Sequence, residues 1–152
     1  SAIKTFTQKV NWKDLDFIIV DMPPGTGDTQ LTFSQEIKMD GAIIVSTPQE
    51  VALLDVKRGI KMFDKLGVKI LGLVDNMSYF IGDDGKKYKI FGEGGVKKTA
   101  EEFKKEFLGE IPIIPEVGKY GDEGKPIVEA NPEHEISKIY LNFANKIKSN
   151  YL

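Results

Sequence analysis

The chain has 152 residues, 41% of them hydrophobic and 29% charged, with a formal net charge of −2 and no cysteine. That size and balance suit one globular domain over 1–152 with a real core. They exclude disulfides and thiolate metal sites, and they give no electrostatic basis for a nucleic-acid or anionic-membrane partner.

Residues 1–10 are expected to form a helix packed by Ile3, Phe6 and Val10. Four short β-branched runs follow along the chain: 16–21 (DFIIVD), 41–46 (GAIIVS), 68–74 (VKILGLV) and 107–114 (FLGEIPII). Continuous apolar runs of this length suit strands buried on both faces, as in a parallel sheet. Between them lie segments of helical period. Asp28 is a candidate cap for a helix running to Ile37. Residues 49–66 space Leu53, Val56, Ile60 and Phe63 at three and four, then stop at Gly67. A charged helix is expected over 96–105. A longer one over 133–149 places Ile136, Ile139, Tyr140, Phe143 and Ile147 on one stripe. Residues 79–95 break the rhythm with a Gly82–Gly85 cluster and read as a hairpin-like loop. The alternation predicts an α/β fold with a parallel sheet and right-handed crossovers. No repeat, low-complexity tract or linker interrupts it.

The stretch 15–28, LDFIIVDMPPGTGD, is the one that carries chemistry. An apolar strand ends in Asp21 and passes into a Pro/Gly turn. In open α/β sheets ligands sit outside the carboxyl ends of the strands. A carboxylate there can hold Mg²⁺, directly or through a water, beside a nucleoside triphosphate. Gly25 and Gly27 let backbone N–H groups approach an anion. A strand-end Asp before Pro also serves as a plain turn or cap residue, and the short pattern alone leaves both readings open.

The longer string decides the reading. DMPPGTGD resembles the Walker B and switch II region of the Mrp/ApbC branch of the MinD/ParA-like P-loop ATPases, a family associated with iron–sulfur cluster carriage. TPQEVALLDVKRGIKMF (47–63), LGLVDNMSYF (71–80), IFGEGG (90–95) and LGEIPIIPEV with DEGKPIVEANPE (108–133) resemble its later blocks in the same order. The likeness runs from Trp12 to near the end of the chain. It implies a partial P-loop NTPase-type parallel sheet flanked by helices, with four core strands. It assigns Asp21 to Mg²⁺ and the attacking water, the backbone of Gly25 to the γ-phosphate, and Asn76 to adenine. Pro112, with the loop to Val117, is assigned to the other side of the base. An amide offers the donor and acceptor that adenine requires, although Asn76 also fits an Asx turn. Thr47, Gln49 and Asp55 follow another strand end and suit either a pocket or dimer face, or helix initiation and surface polarity.

Two departures stand against the family pattern. Only 20 residues precede Asp21 and none forms the Walker A loop. GEGGVK (92–97) follows the wrong strand and lacks the Gly-Lys-Ser/Thr ending. The chain begins at Ser1 rather than Met, and it is expected to be the C-terminal portion of such an ATPase, binding ATP weakly and hydrolysing none unaided. Where many members carry Cys-x-x-Cys, residues 80–88 read FIGDDGKKY. Asp83 and Asp84 are hard oxygen ligands suited to a turn with Gly85, so this chain offers no Fe–S ligand. Glu93 stands where a family His is found, and His134 is expected at a helix start. The resemblance implies ATP with Mg²⁺ as cofactors, apo iron–sulfur clients, a homodimer and a cytoplasmic setting. Its rivals are a non-catalytic interaction module and a positioning ATPase.

Overall fold

Three parallel strands form the wall on which the rest of the chain is built. A computed structural model describes residues 5, 9–22 and 27–151. In chain order the elements are α1 (Asp28–Glu36), β1 (Ala42–Ser46), α2 (Glu50–Lys65), β2 (Ile70–Asn76), β3 (Phe80–Ile81), β4 (Lys87–Tyr88), α3 (Gly95–Glu102), β5 (Phe107–Ile111), α4 (Pro115–Asp122), α5 (Ile127–Ala130) and α6 (Glu135–Tyr151). The sheet order is β1-β2-β5, and both pairings are parallel. β3 and β4 form a separate antiparallel hairpin, Phe80 opposite Tyr88, within the segment read as hairpin-like.

Helices cover both faces of the wall. On one, α2 and α3 bury Val56, Ile60, Val96 and Ala100 against Ile70 and Leu73 of β2. On the other, α5 and α6 bring Ile127, Ile136 and Phe143 onto Val74, Leu108 and Ile111. Consecutive residues Leu73 and Val74 thus enter different clusters, as the period of two in a strand requires. Each fully buried aliphatic side chain contributes about 1.5–3 kcal/mol relative to exposure. β5 needs a glycine at position 109. Its φ is 147°, and a Cβ there would lie 2.8 Å from the Phe143 ring.

Several expectations are corrected. Residues 16–21 form no strand: the wall has three strands among the described residues, not four. Phe17, Ile18, Ile19 and Val20 are exposed, Ile19 to 93%. A strand persists only with a ladder partner, and none of the described strands pairs with this run. The cap of α1 is Gly27 rather than Asp28. β2 begins at Ile70 but runs on to Asn76, and β5 stops at Ile111, short of the expected 114. The short helices α4 and α5 add to the expected elements. The helix expected over 1–10 lies mostly outside the described residues.

Candidate functional site at the carboxyl edge of the sheet

Parallel strands that all point one way bring their C-terminal loops together. Here that edge gathers residues 46–49 after β1, 75–79 after β2 and 111–115 after β5. The last two are fastened to each other. The Ser78 N–H and hydroxyl both donate to the Ile111 carbonyl, at 3.0 and 3.2 Å, and the Ile113 N–H donates to the Tyr79 carbonyl at 2.7 Å. Met77 takes the left-handed region, φ 53°, to make this turn.

Asn76 ends β2 in register with Ile111 and is half-buried. Its neighbour Ser78 gives its N–H to Ile111, so the Asx turn weighed for Asn76 does not form at that amide. Pro112 is buried beside it in the Ile111–Ile113 segment. The structure therefore places two of the sequence-assigned positions, Asn76 and Pro112, at neighbouring strand ends that are hydrogen-bonded together. Asp21 is exposed, in a stretch without regular structure, so it does not end a ladder strand as expected. Gly25 lies outside the described residues.

The β1 end carries Thr47, whose hydroxyl donates to Gln49 Oε1 at 2.8 Å. Asp55 is exposed and pairs with Arg58 at 3.0 Å, a surface ion pair on α2. Asp84 holds the hairpin turn: its Oδ1 accepts from the Lys86 N–H at 3.0 Å and its Oδ2 from the Tyr88 hydroxyl at 2.7 Å. The backbone donor from Lys86 and then the Tyr88 hydroxyl hold the Asp84 carboxyl below the usual range. His134 Nδ1 accepts from the Ile136 N–H at 3.2 Å, capping α6 as its place before that helix suggested.

Asp75 is a further residue of this edge that no sequence motif marks. It is 1% exposed, one position before Asn76, and burial pushes its carboxyl up to about 6. Glu110 adds to that rise and Lys89 opposes it. An acid inside LGLVDN was the available signal, since an uncompensated buried charge is costly.

Residues 1–148 match the model of the ParA family described as NUBPL iron-transfer P-loop NTPase. The chain belongs to this family. An iron-sulfur cluster carrier protein of Synechocystis is 48% identical over 147 residues, covering 95% of this chain and 42% of the relative. An Arabidopsis thaliana relative, the iron-sulfur protein required for NADH dehydrogenase, mitochondrial, is 47% identical, covering 97% and 47%. The chain thus spans less than half the length of these family members. Among solved structures, a nucleotide-binding protein from Archaeoglobus fulgidus in complex with ADP superposes with a TM-score of 0.73 at 41% identity, over 82% of this chain and 51% of that one. The cell division ATPase MinD of Pyrococcus furiosus gives 0.68 at 24% identity, over 97% and 55%, a likeness of fold. These matches accord with the iron–sulfur carrier P-loop family and the α/β fold expected from the motifs.

Proposed function

We propose that this chain is one domain, 1–152, supplying the base-side half of an ATP site in an iron–sulfur cluster carrier. The observation that carries the reading is the fastened Asn76–Ser78/Ile111–Ile113 edge in a chain of this family. Asn76 reads the adenine edge through its amide, and Pro112 packs along the base. Asp21 and the backbone of Gly25 serve the phosphate end. Mg²⁺ is compatible with the residues present. No group of three or more His, Cys, Asp or Glu able to hold a metal occurs among the described residues. Mg²⁺ normally takes one or two carboxylates and completes its shell with water and phosphate, so Asp21 fits as a single ligand. Bound Mg²⁺ would supply charge neutralisation at the phosphates.

The iron–sulfur cluster is cargo in this reading. With no cysteine in the sequence, the chain does not fit thiolate ligation, and the cluster is held by groups outside it. The partners are apo iron–sulfur proteins and a second copy of the carrier, in the cytoplasm. Hydrolysis requires a phosphate-gripping loop from elsewhere, and the chain alone turns over no ATP.

The test is calorimetric titration of Mg-ATP into the protein, with Asn76→Ala and Asp21→Ala alongside. Asn76→Ala should weaken binding about tenfold, from the loss of hydrogen bonds contributing about 1.5 kcal/mol together, and leave urea stability unchanged. Equal affinity in wild type and Asn76→Ala would refute the base-reading role.

A further inference from the structure

One carbonyl joins the ends of β2 and β5. Ile111 is the ladder partner of Asn76, and its carbonyl accepts from both the N–H and the hydroxyl of Ser78, at 3.0 and 3.2 Å. A carbonyl oxygen has two lone pairs, so Ser78 saturates it. Ser78 is 3% exposed, and a bond lost at a buried site is not replaced by water.

Only Met77 separates the two residues that meet Ile111. It takes the left-handed region, φ 53°, which is unfavourable for a residue with a side chain. Its side chain is exposed, so burial of Met77 is not what holds the turn. Such a conformation persists where its neighbours over-determine it, and the two bonds of Ser78 are the constraint that adjoins it. Beyond them, the Ile113 N–H donates to the Tyr79 carbonyl at 2.7 Å. Pro112 lies between the two bonded residues of its own strand end and has no N–H to satisfy. The bonds made by residues 78 and 79 thus follow directly on Asn76 and bracket Pro112.

We propose that Ser78 is a positioning residue for base recognition: its hydroxyl fixes the turn that sets the Asn76 amide relative to Pro112. This rests on the base-reading role proposed above for Asn76. Ser78 acts through the turn, and its own donors are spent on Ile111. An amide discriminates between bases only when held in line with the edge it reads, because hydrogen bonds weaken steeply with misalignment. Ser78→Ala removes one of the two bonds and keeps the other, so the fold survives while the turn loosens.

The test compares Mg-ATP with the Mg complex of purine riboside triphosphate, which lacks adenine's exocyclic amine. Both are titrated by NMR into wild type, Asn76→Ala, Ser78→Ala and Ser78→Thr. The ratio of the two affinities is blind to a general loss of stability, which a merely structural role would cause. Wild type should prefer ATP about fivefold, as one hydrogen bond permits. Ser78→Ala should lose most of that preference, and Ser78→Thr, which keeps the hydroxyl, should retain it. A wild type that binds both alike, or a preference that persists in Asn76→Ala, would overturn the base-reading role and this inference with it. A preference lost in Asn76→Ala but kept in Ser78→Ala, or lost in Ser78→Thr, would overturn the positioning role alone.

Discussion

Replacing Asp75 with Asn should stabilise the protein at neutral pH and leave it nearly unchanged in mild acid. The carboxyl has its pKa raised from 3.8 to about 6 by burial and by Glu110. A group whose folded pKa is raised is bound more tightly to its proton in the folded state. Stability is thus fully present below about pH 4, falls as pH rises between about 4 and 6, and stays lowered above that. A shift of about 2 units at ~1.4 kcal/mol per unit gives about 3 kcal/mol. Asn keeps the shape and carries no charge, and its amide can donate to Glu110. Urea unfolding of both proteins at pH 4 and pH 7.5 measures the difference. The variant should gain about 2–3 kcal/mol at pH 7.5 and less than about 0.5 kcal/mol at pH 4. A gain that is equal at both pH values, or a loss at pH 7.5, would refute the assignment of Asp75 as a desolvated charge.

Three further outcomes follow from the packing. Ile60 is 0% exposed between α2 and β2, so Ile60→Ala should lower urea stability by about 3–4 kcal/mol with an unchanged m-value. Gly109→Ala combines a positive φ with a clash against Phe143 and should destabilise by about 2 kcal/mol or more, read as a lower thermal midpoint. His134→Ala removes the acceptor for the Ile136 N–H and should lower stability by about 1 kcal/mol, detectable in the same urea series.

The helices α2 and α6 were legible because each carries an uninterrupted apolar stripe. α4 was hidden by Gly118 and Gly121, which weaken helical propensity, although Pro115 at its first turn and Glu116 beside it were available signals. β1, β2 and β5 were legible as apolar runs. The same rule failed at 16–21, because a run of apolar residues states a need for burial and says nothing of whether a partner strand is at hand. Asn76 and Pro112 were reached through the family motifs and then found at one fastened edge. Asp75 escaped because its burial arises from neighbours far along the chain, Glu110 on one side and Ser46 on the other. Local sequence carries no record of that ladder.

The outer side of β1 has a practical consequence. Ile43 and Val45 are exposed on this strand, and β1 pairs only with β2 among the described strands. The far rim is better guarded, since Lys146 Nζ donates to the Leu108 carbonyl of β5 at 3.2 Å. A bare strand margin with greasy side chains, joined in the same molecule by the exposed 17–20 run, is an aggregation liability. The purified chain should therefore keep best when dilute and cold-stored briefly. Its turbidity should rise with sulfate, which strengthens apolar association. Placing lysine at Val45 should clear that haze while leaving the two cores as they are.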